Sequence, residues 1–546
     1  MHDQAIHDRR WWALGVLCLS MLVIALDNTI LNVALPALVH DLSASTSQLQ
    51  WIVDGYTLVF AGLLLTGGSL GDRFGRRGAL GIGLLVFCAG SVLSAVATSA
   101  SMLIFTRCVM GMGAALIMPA TLSLLTNIFH DPRERGRAIG IWAAVAGGGG
   151  AIGPVVGGFL LQHFWWGSVF LVNVPVTFVA FMAGRYVLPI SRDHEVPRLD
   201  PLGAVLSIGG LVALLWGVIE APTEGWTDPK VVVWFVVGAL VIAGFVLWEL
   251  HSSHPMLDVR FFENRRFTAA SAAITMTFFA LFGAMFLITQ YLQTVLGYSA
   301  LQAGIRMLPM ACLMFCIAPL APRLVERVGT KLVVGGGLMM AAAGMAVASQ
   351  VPVAHGYPHL LIAMAMLSTG MGCIMAPATE SIMGSLPRNK AGVGSAMNDT
   401  TRQVGGALGV AVIGSVLASF YRPAITSKVG ALNVSPSVLS TARDSVGGAV
   451  QVGATLPAAT GNALIAIAKT EFVHAFASAL LVGGGIIAIA AVVVFVFLPA
   501  RARDAREHVA DATDGLASLA FAEAEGALED ATAFGSVTAR TTSEFG

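Results

Sequence analysis

Charged residues are scarce in this chain. Asp, Glu, Lys and Arg make up only 11% of its 546 residues, whereas ordinary soluble domains contain about 25%. The formal net charge is zero and no Lys/Arg-rich tract occurs, so we expect no nucleic acid partner. Hydrophobic residues make up 56% of the chain. This composition excludes an ordinary soluble domain and indicates a polytopic membrane protein.

Motifs for nucleotide and metal chemistry are also missing. No glycine-rich loop is followed by the Gly-Lys-Ser/Thr end of a P-loop, and no HExxH pattern occurs. We therefore expect no enzyme activity, no metal site, no cofactor and no use of ATP, which leaves an ion gradient as the energy source. The six cysteines all lie in apolar runs, which favours packing roles over disulfide bonds.

Long apolar runs dominate the sequence. Fourteen of them reach about 20 residues, the length that crosses a bilayer as a helix. Basic residues recur in alternate short loops, from Arg9 and Arg10 onward, while Lys230 is the clear exception in the opposite loops. The positive-inside bias therefore predicts a multi-pass protein of the plasma (inner) membrane with both termini in the cytoplasm.

Two of the basic loops resemble each other. "GDRFGRRGAL" at 71–80 aligns with "VERVGTKLVV" at 325–334, which indicates two six-helix halves of parallel topology. The last 47 residues are rich in Ala, Asp and Glu, a composition typical of disorder. The expected segments are an N-terminal bundle (1–190), two inserted helices (191–255), a C-terminal bundle (256–499) that includes an outside segment (421–475), and a disordered cytoplasmic tail (500–546).

Four ionisable residues stand out among those inside apolar runs, where a charge costs about 2.5–3.5 kcal/mol. Asp27 lies near the middle of the first run, Asp54 near the outer end of the second, and Arg107 about one turn into the fourth. Asp399 begins the thirteenth run. We predict that all four couple proton and substrate movement, with Asp27 as the central coupling carboxylate. The candidate partner of Arg107 is Asp27 or a backbone carbonyl. Asp27→Asn should therefore abolish the coupling and leave expression and folding intact. Each residue also has a structural alternative. Asp27 would be an acid hydrogen-bonded to a neighbouring helix, Asp54 an interfacial carboxylate, and Arg107 a clamp between helices. Asp399 would form a local pair with Arg402.

Polar and aromatic side chains near these charges are candidates for a substrate cavity. Asn28 and Asn32 lie one helical turn apart in the first run. The ninth run contains Phe282 and Phe286 and ends near Gln290. Aromatic and methionine side chains suit an adaptable apolar pocket wall. Plain packing between helices is the alternative for the aromatic residues, and a position at the membrane interface is the alternative for Gln290.

Several stretches resemble the major facilitator superfamily. "GGSLGDRFGRRGAL" is similar to its cytoplasmic loop signature, "LIFTRCVMGMGAAL" to its span 4 motif, and "GGAIGPVVGG" to a span 5 motif associated with antiporters. "LDNTILNVALP" resembles the first span of fourteen-helix drug:proton antiporters, and "QWIVDGYTL" and "WGSVFLVNVP" resemble their QacA-like quaternary-ammonium branch. The resemblance implies an all-α membrane protein with the major facilitator fold, in which two inserted helices separate two six-helix bundles.

The resemblance also implies a proton-coupled multidrug efflux antiporter for lipophilic, mostly monovalent cations, driven by the proton gradient. Met314 and Gln403 stand where QacA-like members carry membrane acids, and fewer acids favour monovalent substrates. We expect a monomer in contact with membrane lipid. The matching motif residues are a gating motif (Gly68, Asp72, Arg73, Gly75, Arg76 and Arg77) and an antiporter motif (Gly149, Gly153, Pro154, Gly157 and Gly158).

Other functions stay open at the level of sequence. An exporter of an endogenous metabolite or antibiotic would use the same fold. A translocase for amphipathic lipids would not need a titratable Asp27. A membrane sensor is a further alternative, but an acid in mid-membrane and two matching halves argue against it.

Overall fold

The computed structural model describes residues 2–129, 131–189, 200–252, 255, 257–386 and 391–499. Within this part of the chain, every regular element is helical, and fourteen crossings are long and apolar enough to span a membrane. The all-α fold and the fourteen spans predicted from the sequence are therefore confirmed. The predicted tail (500–546) lies outside the described residues.

The N-terminal bundle contains six crossings, and three of them start after a residue whose side chain caps the helix. Ser45 accepts a hydrogen bond from the Gln48 backbone N–H, Ser99 caps the fourth crossing, and Asp131 caps the fifth. The helices are α1 (His2–Leu42), α2 (Thr46–Phe74), α3 (Arg76–Ala95), α4 (Ala100–Ile128), α5 (Pro132–His163), and α6 (Ser168–Leu171) with α7 (Asn173–Val187) as one crossing.

The two inserted helices are α8 (Pro201–Glu224) and α9 (Pro229–His251). Asp200 and Asp228 cap them, and each cap is followed by a proline in the first helical turn, where no backbone N–H is needed. The two helices pack against each other, and α8 also packs against α2. Much of α9 is exposed and apolar, as expected for a helix that faces lipid.

The C-terminal bundle contains the other six crossings and three shorter helices. α10 continues as a π-helical turn (Tyr291–Val295), and short 3-10 helices cover Val259–Glu263 and Gly430–Leu432. The helices are α10 (Arg265–Gln290), α11 (Ala300–Ile317), α12 (Ala321–Val328), α13 (Thr330–Ala348), α14 (Tyr357–Met383), α15 (Ala391–Val429), α16 (Pro436–Asp444), α17 (Val446–Thr455) and α18 (Ala458–Phe497).

The repeat predicted from the two basic loops has the same backbone geometry in both halves. Gly75 joins α2 to α3 with φ +115°, and Gly329 joins α12 to α13 with φ +89°. Each glycine donates its N–H to the carbonyl four residues earlier. A side chain at this φ is strained, so only glycine allows these turns easily. The structure supports a repeated unit in the two bundles.

The region between the last two crossings is more helical than the predicted outside segment (421–475). α15 has 39 residues and α18 has 40, so each is about 60 Å long, twice the hydrocarbon core. Both helices project beyond the bilayer, and α16 and α17 form a hairpin between them. An ion pair joins Lys428 to Glu471 across the projecting parts. Hydropathy alone could not find these extensions, because they carry paired charges.

Hydrogen bonds between described residues join the two bundles at one end. We call the end with α16 and α17 the hairpin end, and the end with Gly75 and Gly329 the arginine-loop end. At the hairpin end, Gln50 Nε2 of α2 donates to the Ala411 carbonyl of α15 at 2.8 Å. Gln293 Nε2 likewise donates to the Val33 carbonyl of α1 at 2.9 Å. These bonds close the interface between the bundles at the hairpin end.

At the arginine-loop end, hydrogen bonds tie the N-terminal bundle to itself. Arg10 forms two hydrogen bonds with the Glu134 carboxylate, at 2.9 and 3.0 Å, and so joins the start of α1 to the start of α5. These contacts lie in one bundle and do not bridge to the other. The hydrogen bonds of Gln50 and Gln293 described above are the contacts that close the interface at the hairpin end.

Candidate functional site

A buried ion pair lies at the centre of the N-terminal bundle. Arg107 of α4 donates from Nη1 to Asp27 Oδ2 of α1 at 2.5 Å, and the two side chains are 1% and 0% exposed. Arg107 Nε also donates to the Ile52 carbonyl at 3.1 Å. The guanidinium carbon lies 4.2 Å from the centroid of the Tyr56 ring, within cation–π range. Arg107 therefore has both partners that its sequence position allowed, an acid and a carbonyl.

Glycines bring the helices around this pair together. A Cβ on Gly111 of α4 would lie 2.6 Å from the Tyr56 carbonyl oxygen, and one on Gly55 of α2 would lie 3.2 Å from Cys108 Sγ. Small residues at such positions let two helix backbones approach closely in a membrane. The Arg107 side chain can therefore cross from α4 past α2 to α1.

Asn173 was not selected by the sequence reasoning. Its Nδ2 donates to Asp27 Oδ1 at 3.4 Å, so Asp27 receives one hydrogen bond on each oxygen. Asn173 begins α7, directly after the break that separates α6 from α7. The available signal was a single amide inside the apolar stretch "WGSVFLVNVP". Tyr56 was missed for a different reason, because a tyrosine near a helix end reads as an interfacial residue.

Asp54 of α2 differs from Asp27 in having no partner. Its side chain is 0% exposed, and neither carboxylate oxygen accepts a hydrogen bond from any described residue. One turn before it, Gln50 donates to the Val410 and Ala411 carbonyls and to Ser415 Oγ of α15. Asp54 therefore lies directly beneath the contact that closes the two bundles, on the arginine-loop side of it. A buried, unpaired carboxylate is costly unless something neutralises it.

Asp399 lies apart from the other two acids. It starts the membrane part of α15 at the arginine-loop end and pairs with Arg402, whose Nη1 is 3.7 Å from Asp399 Oδ1. The Arg402 guanidinium carbon is also 5.7 Å from the centroid of the Phe278 ring. The two charged side chains are 13% and 28% exposed. Its geometry is the local pair that the sequence left as an alternative.

The two asparagines of α1 differ in accessibility. Asn32 is 1% exposed and donates from Nδ2 to the Asn28 carbonyl at 3.2 Å. Asn28 itself is half-buried. Asn32 Oδ1 receives no hydrogen bond from the described residues. Asn32 thus presents an unpaired acceptor one turn along α1 from Asn28.

The candidate cavity residues of α10 also differ in how accessible they are. Phe282 is half-buried and stacks on Phe278, with ring centroids 6.1 Å apart. Phe286 is fully buried, and Gln290 donates to the Phe286 carbonyl at 2.9 Å. The structure therefore leaves Phe282 accessible and packs Phe286 and Gln290 near the sealed hairpin end.

The gating motif forms bonds inside one bundle. Arg76 Nε donates to Asp72 Oδ1 at 2.6 Å, one helical turn apart around Gly75. Arg77 Nη1 donates to the Leu188 carbonyl at 3.1 Å, just after α7 ends. Both bonds lie within the N-terminal bundle.

The other two residues of the motif face different surroundings. A Cβ on Gly68 would lie 3.4 Å from Pro119 of α4, an ordinary van der Waals contact. Arg73 is exposed, and its guanidinium carbon lies 5.6 Å from the centroid of the Phe74 ring.

The antiporter motif forms two packing faces on α5. A Cβ on Gly149, Gly153 or Gly157 would meet Ala25, Thr29 or Ile30 of α1 respectively. On another face, Gly158 contacts the start of α11, and the Pro154 carbonyl contacts Gly304 of that helix. α5 therefore packs closely on α1 in its own bundle and on α11 across the bundle interface.

This packing predicts that the same substitution lowers the thermal stability at one glycine of α5 and leaves it unchanged at another. Gly153→Ala places a methyl group against the Thr29 hydroxyl and about 3.2 Å from the Leu26 carbonyl oxygen, and such overpacking costs about 1–3 kcal/mol. Gly148→Ala is the matched control, because nothing lies within 4 Å of its Cβ position. Thermal unfolding of the purified variants should show a lower midpoint only for Gly153→Ala. Equal midpoints would contradict close α1–α5 packing.

The two acids buried in the N-terminal bundle, Asp27 and Asp54, differ in whether their charge is neutralised by a neighbour. Asp27 is held by Arg107 and Asn173, whereas the Asp54 carboxylate has no hydrogen-bond partner among the described residues. Among the described residues, no group of three His, Cys, Asp or Glu side chains is placed to hold a metal ion. The chemistry that this arrangement offers is reversible charge neutralisation at a point between two bundles.

Comparison with known proteins agrees with this architecture. Residues 17–410 match the Major Facilitator Superfamily. The chain is 37% identical over 486 residues to the multidrug efflux pump LfrA of Mycolicibacterium smegmatis, covering 89% of this chain and 96% of that protein. It is 34% identical over 489 residues to the methyl viologen resistance protein SmvA of Salmonella typhimurium, covering 89% and 97%.

A solved structure has the same fold. A bacterial homologue of the human lysosomal transporter Spinster, in an inward-facing and unoccupied conformation, superposes with a TM-score of 0.60 at 18% identity. The superposition covers 90% of this chain and 98% of that one. The family match, the two long alignments and the shared fold show that this chain belongs to the Major Facilitator Superfamily of membrane transporters.

Proposed function

We propose that this protein is a proton-coupled efflux antiporter that exports lipophilic, mostly monovalent cations such as quaternary ammonium compounds and dyes. The observation that carries the proposal is the Asp54 carboxylate, which is buried, has no hydrogen-bond partner among the described residues, and lies one helical turn from the Gln50 contact between the two bundles. A proton and a lipophilic cation can each neutralise this group, and both cannot occupy it together. Mutually exclusive binding of this kind is what an exchanger needs.

Alternating access gives the exchange its direction. When the arginine-loop end is open, a cation enters between the bundles and binds through its charge to Asp54 and through its apolar surface to side chains such as Phe282. Closure there breaks the contact of Gln50 with α15 and opens the hairpin end. A proton from that side then displaces the cation. Rocking of two repeats around a central site is the usual way in which secondary transporters work.

Asp27, Arg107 and Asp399 are proposed to assist this exchange. Asp27 joins α1 to α4 and α7 through hydrogen bonds with Arg107 and Asn173. A change in its charge would therefore alter the contacts among these three helices. We propose that Asp27 is a second coupling carboxylate, which releases Arg107 when it binds a proton or a guest. Asp399, at the arginine-loop end, is the candidate for a further proton.

The energetics follow from charge balance. Exchange of one proton for one monovalent cation moves no net charge, so only the pH gradient drives it, at about 1.4 kcal/mol per pH unit. A second proton would add the membrane potential, at about 2.3 kcal/mol per 100 mV. No cofactor is needed for either stoichiometry.

The names of the relatives support drug export. One is described as a multidrug efflux pump and another as a methyl viologen resistance protein, and both align over nearly the whole length of the membrane region. We also propose that the protein acts as a monomer in the plasma membrane. Both termini would be cytoplasmic, with two bundles (1–190 and 256–499) on either side of an inserted pair (191–255), because the basic loops lie at the arginine-loop end.

The test is transport in proteoliposomes with an imposed pH gradient. Tetraphenylphosphonium serves as the lipophilic cation, and an internal pH dye reports proton movement. We expect cation transport against proton flow, which stops when nigericin collapses the pH gradient. Cation transport at an unchanged rate without the gradient would contradict proton coupling. Transport of a neutral amphiphile alone would favour the lipid translocase instead.

A further inference from the structure

A groove lies between α3 and α7 on the outer surface of the N-terminal bundle. Its volume is about 380 Å³, within the range of sites that hold small ligands. It is not part of the interface between the two bundles, and none of the acids described above lines it. The lining residues are Arg77, Gly78, Leu80, Gly81, Ile82, Leu84, Leu85, Ala180, Phe181, Gly184, Arg185 and Leu188.

Two glycines, which have no side chains, give this groove its depth. Nothing lies within 4 Å of the Cβ position of Gly78, and a Cβ on Gly81 would first meet the Phe181 ring at 3.4 Å. Leu84 and Ala180 provide apolar walls. A narrow, apolar channel between two membrane helices is shaped for a hydrocarbon chain rather than for a polar solute.

The groove opens toward lipid. Around it, Ile82 is 58% exposed, Leu85 is 52% exposed and Tyr186 is 73% exposed. In a helix that crosses a bilayer, apolar side chains with this exposure contact acyl chains, and an exposed tyrosine near the helix end lies at the headgroup level. A ligand would therefore reach the groove from the membrane.

Two arginines line the same groove at the arginine-loop end. Arg77 is the second residue of α3, and Arg185 lies in the last turn of α7. Arg77 gives one N–H to the Leu188 carbonyl, and a guanidinium has five such donors. Arg185 is exposed, and no carboxylate is among the lining residues. Two like charges above an apolar channel attract an anion, and arginine binds phosphate particularly well.

We propose that this groove binds an anionic phospholipid, with its phosphate between Arg77 and Arg185 and one acyl chain along Gly81 and Leu84. Basic pockets between membrane helices recognise anionic headgroups in this way. The phosphate gives the charge complementarity, and the acyl chain fills the space that the glycines leave. The bound lipid ties α3 to α7 at the level of the arginine loop.

The test measures lipid retained by the purified protein and does not depend on transport. Protein is reconstituted in nanodiscs with equal amounts of phosphatidylglycerol and phosphatidylcholine, extracted gently and examined by native mass spectrometry. Wild type is expected to retain phosphatidylglycerol preferentially. Arg185→Gln should reduce that preference about fivefold, since one arginine contributes about 1 kcal/mol. Arg185→Lys should retain most of the preference, because the charge remains.

Two further variants separate the groove from general surface charge. Gly81→Leu fills the channel while both arginines stay, and it should reduce retention of phosphatidylglycerol as strongly as Arg185→Gln. Arg327→Gln is the matched control, because Arg327 is an exposed arginine at the same end of the molecule but outside the groove. An equal loss in Arg327→Gln, or none in Gly81→Leu, would overturn the proposal.

Inorganic phosphate distinguishes a lipid site from a simple anion site. In nanodiscs of phosphatidylcholine alone, added phosphate should leave the unfolding temperature of the protein unchanged, whereas phosphatidylglycerol should raise it. If phosphate alone produces the same rise, the two arginines form a phosphate site and the lipid assignment is wrong.

Discussion

Asp54→Asn is expected to abolish export driven by a pH gradient, with a fall in rate of at least about 100-fold, because an amide cannot exchange a proton for a cation. The fold should survive, because Asp54 has no hydrogen-bond or ion-pair partner among the described residues and its neutralisation leaves no other group unpaired. Proteoliposome transport gives the rate, and thermal unfolding of the purified protein gives the stability. We expect an unfolding midpoint equal to or above that of wild type.

Two matched variants make this result specific. Asp54→Glu keeps a titratable carboxylate at the same place and should retain measurable coupled transport. Glu224→Gln removes a carboxylate that is 44% exposed at the hairpin end of α8, and it should transport like wild type. Coupled export by Asp54→Asn at the wild-type rate would remove Asp54 from the mechanism.

Asp27→Asn and Arg107→Gln are each expected to destabilise the protein by about 3–5 kcal/mol, because each leaves one buried charge without its partner. From the sequence alone, Asp27→Asn should leave folding intact. The ion pair at 2.5 Å changes that expectation, since Arg107 is 1% exposed and cannot lose its charge. The measurement is the unfolding midpoint of both single variants and of the double variant, compared with wild type.

The double variant separates a structural role from a coupling role. Asp27→Asn with Arg107→Gln removes both charges and should recover much of the lost stability, because no buried charge remains unpaired. If Asp27 is a coupling carboxylate, the recovered protein still fails to move protons with the cation. Coupled transport in the stable double variant would show that the pair serves only to hold α1 against α4.

The crossings were the easiest part to predict, because hydrophobic length is a local property. Fourteen apolar runs became fourteen helical spans, and the arginine loops were correctly matched through Gly75 and Gly329. The ends of α15 and α18 could not be predicted in the same way. Their projecting parts are stabilised by contacts such as Lys428 with Glu471, which join residues far apart in the chain.

In the candidate site, too, the sequence predicted which residues matter but not which of them contact each other. The cost of a charge in hydrocarbon depends on residue type and depth, so the sequence could select Asp27, Asp54 and Arg107. It could not distinguish the two acids. One of them meets Arg107 and Asn173 from two other helices, while the other meets no donor among the described residues.

The sequence by itself determined the membrane class, the fourteen spans, the paired halves and the identity of the buried charges. These follow from composition and from patterns within single segments. Only the tertiary structure decided which acid is neutralised, which end of the interface is sealed and where two arginines share an apolar groove. Each of these depends on which helices pack side by side, and this is set by contacts between residues that are distant in the chain.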